Sequence, residues 1–305
     1  MLKKVVITGI SGFIGSNISE YLLSHDFQVY GIVRKKTNIK RLEGFDSSIT
    51  FFDIDDTDLK LKLAQLGEYS LIHCAWNGVN AELRNDWLIQ AENISYFARI
   101  LNLVESTQIK KLIFLGSQAE YGKIDFEVHE GSPLELNNVY GISKNSCRHM
   151  LELFASEKNI NWIWLRVFSL FGPREDDKWL IPSLIQKMKK SKNVELTKGE
   201  QIYSYLYVSD FSRILHLILE KKVNNGIYNI ANKNTVVLKD LIGLLKEKIN
   251  SNAKLMFGAI PYRTNQSMVI SASIDKIIGQ IGDFTFTDIS KALEETIAYY
   301  EKNQP

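Results

Sequence analysis

The feature that most constrains the fold is a glycine-rich turn near the amino terminus. Gly9, Gly12 and Gly15 follow the apolar run Val5–Thr8 and precede a helical pattern that extends to Leu23. Glycines at this spacing permit a tight turn and a close approach of the backbone, and the following helix offers free N–H groups at its positive end. A strand, this turn and a helix in that order predict a site for the pyrophosphate of a dinucleotide. The residues expected to contact it are Gly9, Ser11, Gly12, Phe13, Ile14 and Gly15.

The first half of the chain alternates short apolar runs with helical stretches. Strands are predicted at 5–8, 27–33, 49–52, 71–74, 112–115 and 162–167, and long helices at 83–105 and 140–157. Continuous apolar strands are buried on both faces, and strands that alternate with helices at this spacing form a parallel sheet. The predicted fold class is therefore α/β, with a doubly wound parallel sheet of the Rossmann type.

The pattern changes near residue 175. Later helices are predicted at 181–190, 211–220 and 287–300, and later strands at 205–208 and 227–230. Thr287 or Asp288 is the expected N-cap of the last helix. We predict a Rossmann domain over residues 1–175 and a smaller α/β substrate lobe over 176–305, with the two interleaved.

Composition limits the class of protein. Of the 305 residues, 37 are Lys or Arg and 35 are Asp or Glu, so the net charge of +2 lacks the basic excess of a nucleic-acid binder. No apolar run reaches the roughly 18 residues of a membrane span, so neither nucleic acid nor membrane is an expected partner. Two cysteines are too few for a disulfide framework and favour a reducing, cytoplasmic environment. No H-E-x-x-H or C-x-x-C motif is present, so no metal site is predicted.

The end of the second predicted strand bears on the choice of dinucleotide. An acidic residue there would bind the ribose 2′-hydroxyl of NAD. Val33 occupies this position, and the cations Arg34, Lys35 and Lys36 follow it. A guanidinium matches a 2′-phosphate in charge and geometry. The sequence therefore favours NADP(H), bound through Arg34 and Lys35, over the alternatives of NAD(H) and a solvated basic loop.

Three polar residues predict proton-transfer chemistry. Tyr140 and Lys144 are four residues apart and share one face of a predicted helix. A nearby ammonium lowers the pKa of a tyrosine, so Tyr140 could exchange a proton with a carbonyl or hydroxyl oxygen. Ser117 ends the fifth strand, at the edge where open parallel sheets bind ligands, and could hydrogen-bond the same oxygen. Each residue alone is a weak signal, and the prediction rests on their combination with the glycine turn.

These motifs together resemble the extended short-chain dehydrogenase/reductase superfamily, in particular its sugar-nucleotide epimerases, dehydratases and reductases. The similarity spans the whole chain, and Ser117, Tyr140 and Lys144 match the catalytic triad of the family. The stretch from Leu165 to Pro173 resembles its "LRxFNxYGP" signature, and 205–210 resembles its "FIYVDD" signature. The resemblance implies cofactor contacts from Asp53, Ile54, Cys74, Ala75, Trp76, Asn93, Tyr140, Lys144 and Val167. It implies substrate contacts from Ser117, Gln118, Tyr140, Ser169 and Arg174, and a homodimer formed through the helices at 83–105 and 140–157.

Departures from the family patterns narrow the reaction. The 4,6-dehydratases carry Thr-Asp-Glu where this chain has Ser117-Gln118-Ala119, so the acids that remove water are missing. Neither Cys74 nor Cys147 falls on the cysteine position of the 3,5-epimerase/reductases. Val33 departs from the Asp with which strand two usually ends in the 4-epimerases. The segments "GSQAEYG" and "HCAW" resemble reductases of nucleotide-linked 4-keto-6-deoxy sugars.

The resemblance therefore implies an NADPH-dependent ketoreductase of polysaccharide or natural-product assembly. It would reduce the C4 ketone of a nucleoside-diphosphate 4-keto-6-deoxyhexose, with Tyr140 as general acid. Two alternatives remain: an NAD-dependent UDP-hexose 4-epimerase and a non-catalytic dinucleotide sensor. An intact Ser117, Tyr140 and Lys144 argues against the sensor.

Overall fold

A seven-stranded parallel sheet forms the centre of the protein in the computed structural model, which describes residues 3–104, 109–123, 125–264 and 266–303. Within these ranges the strands are β1 (Lys3–Thr8), β2 (Phe27–Val33), β3 (Ile49–Asp53), β4 (Tyr69–His73), β5 (Ile109–Ser117), β6 (Glu127–Val128), β7 (Trp162–Val167), β8 (Leu170–Phe171), β9 (Asn193–Leu196), β10 (Ile202–Tyr203), β11 (Leu206–Tyr207), β12 (Gly226–Ile230), β13 (Val236–Val237), β14 (Lys254–Phe257) and β15 (Val269–Ala272). The α-helices are α1 (Phe13–Leu23), α2 (Leu59–Ala64), α3 (Trp87–Leu103), α4 (Val139–Lys158), α5 (Leu180–Lys190), α6 (Val208–Glu220), α7 (Leu238–Ile249), α8 (Asp275–Ile281) and α9 (Ile289–Lys302). None of the helices in these ranges has both the length and the apolar character of a membrane span.

The central sheet has the strand order β12-β7-β5-β4-β1-β2-β3, and all its neighbours pair in parallel. Its apolar residues alternate between two cores. Val5 and Ile7 pack in the core that contains α1 and α6, whereas Val6 packs in the core that contains α2, α3 and α4. Burial on both faces explains the continuous apolar runs in the sequence and confirms the predicted fold class.

The second half of the chain builds a smaller layer beside this sheet. Residues of α5, α7 and α9 share a third apolar core with β9, β10 and β11. A four-stranded sheet of order β13-β10-β15-β6 and two strand pairs complete this region. β12, however, belongs to the central sheet, where it pairs with β7. The division at residue 175 into interleaved domains stays a prediction.

Several predicted elements agree closely with the structure. β2 and β7 have the predicted bounds. Asp288 caps α9 by accepting hydrogen bonds from the N–H groups of Ser290 and Lys291, whereas Thr287, the other expected cap, bonds to the buried Asp210. The helix predicted at 83–105 begins at Trp87, because the Asp86 carboxylate caps it, and residue 105 lies outside the described residues.

Candidate active site

The glycine turn forms a backbone cradle between β1 and α1. Gly9 has a φ of +67°, and the N–H of Gly12 donates to its carbonyl oxygen at 3.0 Å. A Cβ atom at Gly9 would lie 2.6 Å from the backbone nitrogen of Ala75, so only glycine allows this approach of two loops. α1 begins directly after Gly12 and has no side-chain cap. Its first N–H groups are therefore available to an anion.

The remaining predicted residues of this turn divide into two groups. Ser11 lines the cavity beside the turn. Phe13 and Ile14 are half-buried, and each packs against an apolar core: Phe13 on the third core and Ile14 on the core of α1 and α6. Gly15 is buried within α1. Phe13 and Ile14 are thus anchored by packing, and the turn presents its backbone to the cavity.

A basic cavity of about 460 Å³ adjoins the turn. Its lining includes Ser11 and Gly12 and the cations Arg34, Lys36 and Arg41. The backbone N–H of Arg34 donates to the Thr37 hydroxyl at 3.0 Å, which shapes the loop after β2. Lys35, which the sequence named beside Arg34, is exposed, as are Arg34 and Lys36, and its contact with the cofactor stays a prediction. Lys36 and Arg41 line the cavity together with Arg34. Arg41 lies beyond the cation run, so only the folded chain brings it here.

Two predicted cofactor contacts lie at the end of β3: Asp53 is its last residue, and Ile54 follows it. The Asp53 carboxylate accepts a hydrogen bond from the N–H of Asp55 at 3.0 Å and forms a local turn. The N–H of Ile54 donates to the carbonyl of Val33 at 2.8 Å, and the Ile54 side chain is buried. Both residues therefore lie at the carboxyl end of the sheet, next to the end of β2.

The loop from β4 to α3 is held by two buried amides. Asn93 forms a pair of 2.9 Å hydrogen bonds with the backbone N–H and carbonyl of Asn77. The Gln90 side chain donates to the carbonyls of Gly78 and Leu83 and accepts from the Trp76 indole at 3.0 Å. The sequence predicted Asn93 but missed Gln90, although the two lie three residues apart on one helical face.

This loop places Cys74, Ala75 and Trp76 beside the glycine turn. The N–H of Cys74 donates to the Thr8 carbonyl at 3.1 Å, and the N–H of Ala75 points to the Thr8 hydroxyl at 3.4 Å. All three side chains are half-buried. Trp76 meets the ring of Tyr140 edge-on, with the ring centroids 6.0 Å apart.

Ser117, Tyr140 and Lys144 come together at the carboxyl end of β5. Their exposures are 7%, 6% and 4%, so all three are almost fully buried. α4 starts at Val139 because the Asn138 side chain accepts the N–H of Gly141 at 2.7 Å, which places Tyr140 in the first turn. Burial raises the pKa of Tyr140, and the neighbouring Ser117 side chain offsets part of this rise. Ser117 also caps the short 3₁₀ turn that follows, so the capping role and the predicted site role coincide.

Lys144 is held by two contacts. Its ammonium donates to the carbonyl of Leu115 at 2.7 Å and lies 3.6 Å from the ring centroid of Trp76. Burial lowers the pKa of Lys144 to about 8. The two contacts stabilise the ammonium, which remains the main form at neutral pH.

The predicted effect of Lys144 on Tyr140 is corrected by the structure. Burial raises the pKa of Tyr140, and the cation that opposes this rise is Arg84, whose guanidinium lies 5.1 Å from the phenol ring. The Lys144 ammonium lies 5.8 Å from that ring and is directed to Leu115 and Trp76. In the free protein Tyr140 is therefore a protonated phenol.

The other predicted contacts lie around this group. Val167 ends β7 directly beside Ser117 in the sheet register. Gln118 and Ser169 are half-buried, and the carbonyl of Ser169 accepts the N–H of Leu206 at 2.8 Å. Arg174 instead forms a two-pronged ion pair with Glu20 of α1, at 2.7 and 2.9 Å. Across the described ranges, no cluster of three His, Cys, Asp or Glu side chains could hold a metal ion.

The fold and this site define a dinucleotide-binding α/β protein of the short-chain dehydrogenase type. The sequence profile described as "NAD dependent epimerase/dehydratase family" matches residues 5–231, and the chain belongs to that family. The resemblance drawn from the sequence motifs is confirmed.

Relatives and solved structures match nearly the whole chain. CDP-abequose synthase of Salmonella muenchen is 23% identical over 98% of both chains. UDP-N-acetylglucosamine 4-epimerase from Methanobrevibacter ruminantium M1, solved with UDP-N-acetylmuramic acid, has a TM-score of 0.87 with 24% identity over 99% of both chains. UDP-glucuronic acid 4-epimerase from Bacillus cereus, solved with UDP-glucuronic acid and NAD, has a TM-score of 0.82 with 25% identity over 98% of this chain and 99% of that one.

Proposed function

We propose that the protein uses NADPH to reduce the C4 ketone of a nucleoside-diphosphate 4-keto-6-deoxyhexose to an alcohol. The observation that carries this proposal is the buried group of Ser117, Tyr140 and Lys144 at the carboxyl end of β5. The loop that carries Ala75 and Trp76 connects this group to the glycine turn. Gln118 and Ala119 stand where the dehydratases of the family carry acids, which disfavours loss of water. Whole-length similarity to CDP-abequose synthase supports a sugar nucleotide as the substrate.

The residues present fit a dinucleotide, since the Gly9 cradle would be filled by a Cβ and the cavity beside it is basic. When bound, a reduced nicotinamide supplies the hydride that C4 accepts. Tyr140 donates its phenolic proton to the forming alkoxide oxygen, and Ser117 donates a hydrogen bond to the same oxygen. Lys144 binds the ribose, and Arg84, whose guanidinium lies 5.1 Å from the phenol ring, stabilises the tyrosinate that remains.

We expect Gln118 and Ser169 to contact the rest of the substrate. Gln118 directly follows Ser117, and Ser169 lies two residues after Val167, which neighbours Ser117 in the sheet. Arg174 can reach a substrate diphosphate only by leaving the carboxylate of Glu20. We therefore expect Arg174→Lys to change the KM of the substrate less than Ser169→Leu does.

NADP(H) is the cofactor that we propose. Arg34, Lys36 and Arg41 line one cavity next to the pyrophosphate turn, where they can surround a 2′-phosphate. Arg34→Asp should weaken NADPH binding at least tenfold and leave NADH binding nearly unchanged. Lys35→Asp changes the charge equally at an exposed neighbour and serves as the matched control. An unchanged NADPH/NADH preference in Arg34→Asp would contradict the proposal, and NAD(H) would become the cofactor.

The experiment that tests the reaction is NADPH consumption, followed by near-UV absorbance, with dTDP-, GDP- and CDP-linked 4-keto-6-deoxy sugars. We expect turnover with one nucleotide. Tyr140→Phe should lower kcat by about 10²–10⁴-fold and spare NADPH binding. Tyr30→Phe, which removes a half-buried phenol on β2, is the matched control. Normal turnover of Tyr140→Phe would remove Tyr140 from the mechanism.

A 4-epimerase is the second candidate, favoured by the similarity to a 4-epimerase solved with NAD. Protein purified with tightly bound NAD that interconverts unoxidised UDP-hexoses, and that consumes no NADPH with any ketone, would establish it.

We also propose a homodimer through α3 and α4. Trp87 and Leu88 on α3 are 71% and 78% exposed, and Leu153 on α4 is 64% exposed. Large apolar side chains with this exposure are typical of a protein interface. Light scattering should give a mass twice that of one chain. The Leu153→Glu variant should have the mass of a single chain.

A further inference from the structure

Glu120 is a carboxylate enclosed in the protein three residues after Ser117. Its side chain is 0% exposed, and it lies in the short 3₁₀ turn Gln118–Tyr121 that follows β5. An isolated buried carboxylate is strongly unfavourable, so its partners decide what it does.

The partners of Glu120 lie on β5 and β7. Its Oε1 atom accepts the backbone N–H of Ser117 and the indole N–H of Trp164, both at 2.9 Å. Its Oε2 atom accepts the Nε–H of Arg166 at 2.9 Å, and the Arg166 side chain is only 2% exposed. The Glu120 carboxylate therefore links Ser117, at the end of β5, to the neighbouring strand β7.

Gly116 shows how tightly this carboxylate packs on the backbone of β5. A Cβ atom at Gly116 would lie 2.1 Å from the Trp164 indole nitrogen and 2.5 Å from Glu120 Oε1. No side chain fits between the strand and the two groups. The position of Ser117 at the end of β5 is thus set by Glu120 and Trp164.

The charge of Glu120 also acts on α4. Burial raises the pKa of Tyr140 and Cys147, and Glu120 adds to this rise; burial lowers the pKa of Lys144, and Glu120 opposes that fall. On its other side lie Arg166 and the Tyr121 ring, over which the Arg166 guanidinium is centred at 4.5 Å.

We propose that Glu120 is a positioning residue of the active site: its carboxylate fixes Ser117 at the end of β5 and places a buried negative charge against the start of α4. The inference rests on the proposed function, because reduction consumes the Tyr140 proton while Ser117 hydrogen-bonds the same oxygen. If Glu120 had only a structural role, its replacement would change the stability of the protein but would leave the pKa values of Tyr140 and Lys144 unchanged.

The test is the pH profile of kcat for Glu120→Gln, with NADPH and the ketone that the wild-type protein consumes. The alkaline limb reports loss of a proton from the Tyr140 and Lys144 pair and should move down by about one pH unit. At a fixed pH on that limb, the kcat of the variant should be about tenfold lower than that of the wild-type protein. Asp210→Asn is the matched control, because Asp210 is an equally buried carboxylate, bonded to Arg213 and Thr287. Its alkaline limb should not move.

Glu120→Gln leaves the Arg166 guanidinium buried without a carboxylate and could fail to fold. The double variant Glu120→Gln, Arg166→Met removes both charges and should show the same downward movement of the limb. An unmoved limb in a folded variant overturns the proposal. NMR of ¹³Cε-labelled lysine, assigned with Lys144→Met, should show Lys144 titrating at a lower pH in the folded Glu120 variant than in the wild-type protein. A Lys144 titration that is the same in both proteins overturns the proposal.

These outcomes separate the role of Glu120 from the reaction itself. If the wild-type protein consumes no NADPH, the proposed function fails, and the difference in Lys144 titration between the wild-type protein and the Glu120 variant decides the role of Glu120. If the wild-type protein turns over and the limb of Glu120→Gln stays in place, only the role of Glu120 fails.

Discussion

Replacement of Lys144 by methionine should stabilise the free protein at neutral pH while it removes activity. Lys144 is 4% exposed, and burial lowers its pKa from the ordinary 10.5 to about 8. At pH 7 the amine is charged in both the folded and the unfolded chain. The gap between the two pKa values then corresponds to roughly 3 kcal/mol by which the buried charge lowers the free energy of unfolding.

Two contacts of Lys144 offset part of this penalty. The hydrogen bond to Leu115 and the contact with the Trp76 ring together stabilise the folded state by roughly 1–2 kcal/mol. Methionine has a similar length and loses both contacts. The variant should therefore be more stable than the wild-type protein by about 1–2 kcal/mol at pH 7.

The difference should depend on pH with a definite sign. Because the folded-state pKa lies below the unfolded one, the unfolded chain binds more protons between pH 8 and pH 10.5. The wild-type protein therefore gains stability through this range relative to the variant. The advantage of Lys144→Met should shrink above pH 8 and change sign at about pH 9.

Urea unfolding of both proteins at pH 7 and pH 9.5 measures this difference, since other titrating groups are common to both. Lys158→Met, at an exposed position near the end of α4, is the control and should show no such dependence. A wild-type protein that is more stable at pH 7, or a difference that does not change with pH, would refute the argument from burial.

Three further variants test other parts of the site. Gly9→Ala places a Cβ 2.6 Å from the nitrogen of Ala75, so it should weaken NADPH binding at least tenfold and lower the free energy of unfolding by about 1–3 kcal/mol. A fluorescence titration that finds wild-type affinity for NADPH would contradict the proposal that the backbone turn at Gly9 binds the cofactor. Gln90→Leu removes the bonds that hold the loop carrying Trp76, and urea unfolding should show a loss of roughly 2–3 kcal/mol. Asp288→Ala removes the cap of α9 and should cost about 1 kcal/mol in the same assay with turnover unchanged.

The residues with local signals could be predicted from the sequence. The glycine turn, the bounds of β2 and β7, and the placement of Ser117, Tyr140 and Lys144 follow from short-range rules. Apolar runs mark buried strands, and spacing of four marks one helical face. The two-residue strands β8 and β10 have too few residues to show a period. In the second half the sequence predicts α5, α6, β11, β12 and α9, and it misses α7, β9 and β14.

What the sequence missed depends on contacts between distant segments. Glu120 becomes a partner of Ser117 only because β7 brings Trp164 and Arg166 beside it. Arg41 joins the basic cavity through the fold of the loop after β2, and Arg174 meets Glu20 across 154 residues of chain. No rule based on residue spacing along the chain predicts such pairs. The direction of the Tyr140 pKa also depends on burial, which a motif does not report.

β12 has a consequence for the order of events during translation. The central sheet ends at this strand, which covers the N–H and C=O groups along one side of β7. A ribosome has made β1 to β5 and β7 long before it reaches Gly226, so the nascent sheet carries an open edge that can pair with another chain. Chains arrested before residue 226 should therefore remain protease-sensitive and prone to self-association. Release of residues 226–230 from the ribosome covers this side of β7 and leaves β12 as the edge of the sheet, and chaperone occupancy on the nascent chain should fall at this point.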